Sequence, residues 1–275
     1  MWFEDEGQII ETPSGTSHVL DIGKGPVAVL LHGSGPGVSA GVNWYRTIGP
    51  LSRDFRVIAP DFRGFGKTPP PADGQYSMDR WAAQVLEILD ALDIPTAHLI
   101  GNSLGARVSM NLASAAPDRI GRVVLMGGPS PMYRKNEELN TVYSYEPDRE
   151  QMGRILRELF AYDPAIVEQA MVDRRYEYSI RPGAAAVYAT ITKTIEDDLQ
   201  SGLLTPEIVR AISSPTLIVH GRDDRVVPVA CAEELIGLID GAESHLFSRC
   251  GHWAQIEHAA RFNTLVTDFL RAGTD

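Results

Sequence analysis

A serine at the junction of a predicted strand and a predicted helix constrains the fold more than any other feature. Ser103 lies in the sequence GNSLG (101–105). The apolar residues 97–100 before it predict a short buried strand, and residues 106–116 after it predict a helix. A sharp strand-to-helix turn with a hydroxyl at its apex is the G-x-S-x-G nucleophile elbow, whose glycines leave room for the packed strand and helix. The pattern favours a nucleophilic serine over an ordinary turn.

Predicted strands and helices alternate along most of the chain. Continuous apolar segments predict strands over residues 26–32, 56–61, 97–100, 122–126, 215–220 and 244–247, and helical stripes or patterns cover 78–92, 106–116, 230–239 and 262–270. Two further segments, 8–12 and 17–21, predict an antiparallel hairpin at one edge. This order implies an α/β fold with a mostly parallel central sheet and helices on both faces.

One long segment interrupts the alternation. Residues 129–213 show an amphipathic helical pattern rich in Arg, Glu and Tyr, without a convincing buried strand. We expect a helical cap over the carboxyl ends of the strands, where α/β sheets bind ligands. Residues 1–128 and 214–275 then form the core domain. An independent helical domain is the alternative, and the return of the sheet pattern at residue 215 favours the cap.

Charge and composition exclude several classes of function. The 275 residues include 25 Lys and Arg against 36 Asp and Glu, a net charge of −11. Nucleic-acid binding depends on Lys and Arg contacts to phosphate, so it is not expected. No apolar run approaches the roughly 18 residues of a membrane span. The acidic residues near the start, 1–6, are unlike a signal peptide, and Cys231 and Cys250 form no disulfide framework or zinc motif. A cytoplasmic protein is predicted, in which an anionic ligand needs a local cation.

A serine nucleophile needs a base and an orienting acid, in the chain order serine, acid, histidine. His252 follows the last predicted strand and begins a loop, and we predict that it is the base. The other histidines are assigned to strands or strand ends (His32, His98, His220, His245) or to solvent (His18, His258). Asp223 and Asp224 both follow the strand at 215–220, and the residues alone leave the choice between them open.

Backbone N–H groups are needed to stabilise the oxyanion that forms at a carbonyl under attack. The residue after the nucleophile, Leu104, is expected to supply one. The second is expected from the glycine loop HGSGPG (32–37). That loop lacks the Lys-Ser/Thr of a P-loop, and the G-x-G-x-x-G of a dinucleotide site is absent as well.

Nearly end to end, the chain resembles the α/β-hydrolases, and within them the meta-cleavage product hydrolases of bacterial aromatic degradation. The segments that carry the resemblance are HGSGPG (32–37) with Asn43, GNSLG (101–105), RYE (175–177), SIRPG (179–183), GRDDRVVP (221–228) and CGHWAQ (250–255). Ala106 departs from the glycine that these enzymes often have. The resemblance implies carbon–carbon bond hydrolysis of 2-hydroxy-6-oxohexa-2,4-dienoates, which gives a 2-hydroxypenta-2,4-dienoate and a carboxylic acid.

Carried over residue by residue, the resemblance implies a role for ten positions. They are a triad of Ser103, Asp224 and His252, an oxyanion hole from the N–H groups of Ser34 and Leu104, and substrate contacts from Gly35, Asn43, Asn102, Arg175 and Trp253. It also implies a small anionic dienoate as substrate, no metal or organic cofactor, and a homodimer or higher homo-oligomer. The cap stretches 160–163 and 175–183 are more similar to enzymes for a small C6 group, hydrogen or alkyl, than for a phenyl ring.

Several alternatives stay open from the sequence. Arg175 could be a solvated surface residue, and Trp253 could serve only in packing. Both an acyl-enzyme and a gem-diol route are compatible with the triad. A general carboxylesterase would use the same triad without Arg175, and a non-enzymatic receptor could bind a small ligand beneath the cap of the same fold.

Overall fold

The computed structural model describes residues 6–272, which form an eight-stranded sheet flanked by helices. The expectation that the chain is not exported rests largely on residues 1–5, which lie outside the described residues. In chain order the strands are β1 (Gln8–Thr12), β2 (Gly15–Ile22), β3 (Val27–Leu31), β4 (Arg56–Pro60), β5 (Ala97–Asn102), β6 (Ile120–Met126), β7 (Thr216–Gly221) and β8 (Glu243–Phe247).

The strands lie in the order β1-β2-β4-β3-β5-β6-β7-β8. β1 pairs antiparallel with β2, β2 pairs antiparallel with β4, and the other neighbours are parallel. The predicted edge hairpin and the predicted α/β fold class are therefore confirmed. The inner strands are largely apolar because helices cover both faces of the sheet.

Helices occupy most of the connections between the strands and also follow the last strand. They are α1 (Ala40–Trp44), α2 (Ile48–Leu51), α3 (Met78–Ala91), α4 (Leu104–Ala115), α5 (Glu137–Tyr143), α6 (Arg149–Arg154), α7 (Gln169–Ser179), α8 (Ala184–Ser201), α9 (Pro206–Arg210), α10 (Ala230–Leu238), α11 (Ala254–Glu257) and α12 (Ala259–Arg271). Two 3₁₀ turns (Pro117–Arg119 and Pro164–Ile166) and a π-helical segment (Ile155–Phe160) complete the set. Among the helices of residues 6–272, none combines the length and apolar character needed to cross a membrane.

The order of the strands places two loops side by side. β3 and β5 are neighbours, and the connection after β3 leads to β4 on one side whereas the connection after β5 leads to β6 on the other. At such a switch point the loops after the two neighbouring strands separate and leave a crevice at their carboxyl ends. The loop after β3 holds Gly33, Gly35 and Gly37, and the turn after β5 holds Ser103. In the helical segment between β6 and β7, the carbonyl of Phe160 accepts a hydrogen bond from the His252 N–H at 2.7 Å.

Two histidines that we assigned to solvent are placed differently. His18 is buried, and its Nδ1 lies 2.9 Å from Oδ2 of Asp61. The pairing of β2 with β4 brings the end of β4, and with it Asp61, beside His18, a contact between residues 43 positions apart. His258 is only partly exposed, and its ring stacks on Phe247 with the centroids 5.0 Å apart. The solvent assignment of His18 was therefore wrong, and His258 is partly exposed rather than fully solvated.

Candidate active site

Ser103 occupies a strained turn, as predicted for a nucleophile elbow. Its φ of 54° and ψ of −111° lie outside the regions that a non-glycine residue usually adopts, at a cost of about 1–3 kcal/mol. The Ser103 N–H donates to the carbonyl of Met126 on β6 at 2.9 Å, which holds the turn, and α4 begins at the next residue. A Cβ at Gly105 would lie 2.1 Å from the carbonyl oxygen of Leu31, so this close approach requires glycine.

The loop after β7 presents a carboxylate to His252. Oδ2 of Asp224 lies 2.7 Å from Nδ1 of His252 and 3.4 Å from Nε2 of His220. Oδ1 of the same carboxylate accepts the backbone N–H groups of Val226 and Val227, each at 2.9 Å. The side chain is therefore fixed by four groups and can orient the imidazole.

Electrostatics keep that carboxylate ionised. Burial raises the pKa of a carboxyl group, but the charge of His252 and the hydrogen bonds from His220 and His252 outweigh it, so the pKa of Asp224 lies below its usual range. An ionised Asp224 accepts the Nδ1–H of His252 and leaves Nε2 as the nitrogen that can take a proton. His252 and Ser103 line the same narrow cavity.

The neighbouring aspartate has a different task. Oδ2 of Asp223 accepts the backbone N–H of Cys250 at 3.3 Å, which ties the loop after β7 to the loop after β8. This contact agrees with the expectation that the aspartate without a catalytic role caps a loop. The Nδ1–H of His252 donates to Asp224, the residue that the resemblance selects.

His32 fixes the glycine loop that passes beside Ser103. It is fully buried, its Nδ1 lies 2.7 Å from the carbonyl of Gly33, and its Nε2 accepts the N–H of Phe62 at 3.0 Å. A neutral ring donates at Nδ1 and accepts at Nε2, whereas a charged ring would place a second N–H against the amide of Phe62. Burial lowers the pKa of His32 to about 4.

This arrangement predicts a loss of stability in weak acid. Between pH 6.5 and 4 the unfolded chain binds a proton at His32 that the folded protein does not, so the free energy of unfolding falls as the pH falls. From pH 7.5 to 5 the wild type should lose about 2 kcal/mol more than His32→Gln, whose amide does not titrate. Urea unfolding at both pH values measures the difference, and equal losses would show that His32 does not stay neutral.

The two predicted oxyanion donors flank the serine. Leu104 is the first residue of α4, so its N–H belongs to a helix N-terminus. Ser34 is buried in the loop after β3, and a Cβ at the preceding Gly33 would lie only 3.4 Å from Cβ of Ser103. Both backbones are thus close to the place where an oxyanion would form, and their role as donors stays a prediction.

Arg175 lies inside the protein, against the glycine loop. It is 1% exposed, its Nη1 donates to the carbonyl of Pro36 at 3.3 Å, and a Cβ at Gly35 would lie 3.0 Å from the same nitrogen. The guanidinium carbon is 5.1 Å from the ring centroid of Trp253, a cation–π contact. The solvated alternative for Arg175 is therefore wrong, and the local cation expected in an acidic protein lines the cavity that holds Ser103.

Two asparagines and a tryptophan also line the cavity. Asn43 is 1% exposed, and its Nδ2 has no hydrogen-bond partner within residues 6–272, which marks it as a donor for a ligand or a water molecule. Asn102 donates from Nδ2 to Met126 at 3.4 Å and also lines the cavity. Trp253 packs against Phe160 with the ring centroids 4.8 Å apart and also lines the cavity, so its packing role is confirmed and its contact with substrate stays a prediction.

Three residues at this site were not predicted to take part. Tyr143 places its hydroxyl 3.0 Å from Oγ of Ser34, Phe160 packs against the rings of His252 and Trp253, and His220 contacts Asp224. Tyr143 and Phe160 come from the inserted helical segment, and their sequence neighbours carry no motif. For His220 there was a signal, since it ends the strand that precedes the acid loop.

Comparisons with known proteins found similar sequences and a similar structure. The sequence pattern of the α/β-hydrolase fold family matches residues 27–152 and 149–259. The 2-hydroxymuconate semialdehyde hydrolase of Pseudomonas sp. (strain CF600) is 41% identical over 92% of this chain and 90% of its own. The 2-hydroxy-6-oxo-2,4-heptadienoate hydrolase of Pseudomonas putida is 40% identical over 93% of both chains. A mutant of the meta-cleavage product hydrolase of Pseudomonas fluorescens IP01, solved with acetates, superposes with a TM-score of 0.93 at 40% identity over 98% of both chains.

Proposed function

The chain belongs to the meta-cleavage product hydrolases of the α/β-hydrolase fold, and from this premise we propose that it hydrolyses a carbon–carbon bond in 2-hydroxy-6-oxohexa-2,4-dienoates. The products are a 2-hydroxypenta-2,4-dienoate and a carboxylic acid. The observation that carries the proposal is the buried guanidinium of Arg175 in the cavity that also holds Ser103 and His252. An ester hydrolase acting on neutral substrates has no use for that charge.

The substrate's carboxylate binds at the polar end of the cavity. The planar guanidinium of Arg175 can donate two parallel hydrogen bonds to a carboxylate, and Trp253 holds the guanidinium against its ring. Asn43 offers an unused amide N–H, and Asn102 lies nearby in the same wall. These groups suit the carboxylate and the 2-hydroxyl oxygen of the dienoate. Gly35 leaves the space into which the guanidinium projects.

Cleavage requires a stabilised carbanion at the departing carbon. Ketonisation of the 2-hydroxydiene creates a 2-oxo group that can accept the electron pair released at C5 when the C5–C6 bond breaks. His252 takes a proton from Ser103 or from a water molecule, and the resulting oxygen nucleophile attacks the C6 carbonyl. The N–H groups of Ser34 and Leu104 stabilise the oxyanion on C6. Ketonisation places a proton on C5 before cleavage, and the 2-oxo oxygen takes up a proton once the C5–C6 bond has broken, which gives the 2-hydroxydiene product. Water supplies the hydroxyl of the new carboxylic acid.

Arg175→Ala tests this function. Removing the guanidinium that is paired with a buried carboxylate costs about 2–5 kcal/mol, so kcat/KM for the dienoate should fall about a hundredfold or more. A neutral nitrophenyl ester has no carboxylate for the arginine to bind, and its hydrolysis should stay within a few fold. Steady-state assays of both substrates with the same protein measure the two effects.

The matched control is Arg174→Ala. Arg174 is the preceding residue of α7 and is only partly buried, outside the residues that line the cavity. Its removal should leave kcat/KM for both substrates within about twofold of the wild type. Equal losses on dienoate and ester in Arg175→Ala would point to a damaged helical segment, and no loss on either would refute the carboxylate-binding role.

We propose in addition that residues 129–213 act as the cap of a core domain formed by 1–128 and 214–275. The apolar residues Met152, Leu156 and Val172 of this segment join one hydrophobic cluster with Leu31 and Leu125 of the sheet, which supports a cap over an independent domain. A cytoplasmic location and a homodimer or higher homo-oligomer are part of the same proposal. The family resemblance supports them, and light scattering measures the oligomeric state.

A further inference from the structure

A second cavity meets the polar cavity at the nucleophile. Ser103, Leu139 and Tyr143 line both cavities. The remaining wall of the second cavity is largely apolar and includes Met78, Pro129, Ile195, Leu199 and Val227. On the proposed function, on which this inference rests, the carboxylate lies beside Arg175 and C6 lies at Ser103. The substituent on C6 then has to extend into the second cavity.

A buried ion pair interrupts this apolar wall. Arg107 donates from Nε and Nη2 to the two carboxylate oxygens of Asp198 at 3.0 and 3.1 Å, and its Nη1 donates to Asn111. The two charged side chains are 3% and 6% exposed, and both line the cavity. Arg107 lies one helical turn after Ser103, to whose carbonyl its N–H donates, and Asp198 comes from α8. The two charged side chains therefore line the same cavity as Ser103.

We propose that the Arg107–Asp198 pair makes the enzyme select dienoates with a small C6 substituent, hydrogen or methyl, over those with a phenyl ring. A guanidinium has five N–H groups and a carboxylate about four acceptor positions, so the contacts described above leave hydrogen-bonding capacity on both groups. A phenyl ring that reaches the pair would shield its unused N–H groups and carboxylate oxygens from water. The ring offers them no hydrogen bond in return, so its binding there is unfavourable. A methyl group ends closer to Ser103 and leaves the pair undisturbed.

The test replaces both charges at once with Arg107→Met and Asp198→Leu. Changing both residues avoids the unpaired buried charge that either single change would leave, and apolar replacement of a buried ion pair is often tolerated. The visible absorbance of 2-hydroxy-6-oxohepta-2,4-dienoate (methyl) and of 2-hydroxy-6-oxo-6-phenylhexa-2,4-dienoate (phenyl) gives kcat/KM for each. The methyl-to-phenyl ratio of kcat/KM should fall at least tenfold, roughly the effect of one unsatisfied buried polar group.

The matched control is the double variant Lys135→Met with Glu196→Gln. This pair, 2.6 Å apart, also ties α8 to another part of the inserted helical segment, but neither residue lines the cavity. Its methyl-to-phenyl ratio should stay within about twofold of the wild type. A fall in the control equal to that in the test variant would mean that loosening α8, and not the charge in the cavity wall, sets the ratio.

The wild type gives an independent result that needs no variant to fold. It should process the methyl substrate at least about tenfold better than the phenyl substrate, and a preference for phenyl would overturn the inference. An unchanged ratio in a double variant that still unfolds in one cooperative thermal transition would overturn it too, since the pair would then serve only to join α4 and α8. Bleaching of neither dienoate by the wild type would instead refute the proposed function, which is a separate outcome.

Discussion

Ser103→Ala is expected to reduce kcat for the dienoate by roughly a thousandfold or more, because loss of one member of a catalytic triad removes most of what the triad contributes. The fold should persist, since the change removes only one oxygen atom and the turn is held by the backbone hydrogen bond to Met126. Decay of the substrate's visible absorbance measures kcat, and thermal unfolding followed by circular dichroism checks the fold. Residual activity within about tenfold of the wild type would show that Ser103 is neither the nucleophile nor the group on which His252 acts.

The two adjacent aspartates give the second large effect. Asp224→Asn should lower kcat by roughly 10³–10⁴-fold, because an amide nitrogen toward Nδ1 favours the wrong tautomer of His252 and removes the charge that stabilises the imidazolium. Asp223→Asn is the matched control at the next position. Its oxygen can still accept the N–H of Cys250, so kcat should stay within about threefold. Measuring kcat for both variants under the same conditions shows which aspartate orients His252. A larger loss of kcat in Asp223→Asn would assign that role to Asp223.

The order of elements was predictable because each strand and its neighbours carry a local signal. The apolar runs at 26–32 and 97–100 correspond to β3 and β5, and the helical stripe at 78–92 corresponds to α3, whose first turn is capped by the Ser77 hydroxyl. The strained backbone of Ser103 followed from the flanking glycines. Apolar periodicity and turn residues depend on a few neighbouring positions, so a single sequence reveals them.

Contacts between distant segments were not predictable in the same way. The solvent assignment of His18 was wrong because its environment depends on the pairing of β2 with β4. The burial of Arg175 depends on how α7 meets the glycine loop, and the local composition of α7 gives no sign of it. The same holds for Arg107 and Asp198, which are 91 residues apart and belong to different layers of the fold. The resemblance named Arg175, but only the fold shows the depth at which it lies.

The central claim, carbon–carbon bond hydrolysis, is tested most directly by the turnover of two substrates. Purified wild-type protein is mixed with a yellow 2-hydroxy-6-oxohexa-2,4-dienoate, and in parallel with a nitrophenyl ester, and kcat/KM is determined for each. We predict rapid bleaching of the dienoate, with kcat/KM roughly a hundredfold or more above that for the ester, because only the dienoate places a carboxylate beside Arg175. Fast ester turnover with slow bleaching would contradict the account in favour of a carboxylesterase, and binding of the dienoate without turnover would contradict it in favour of a receptor.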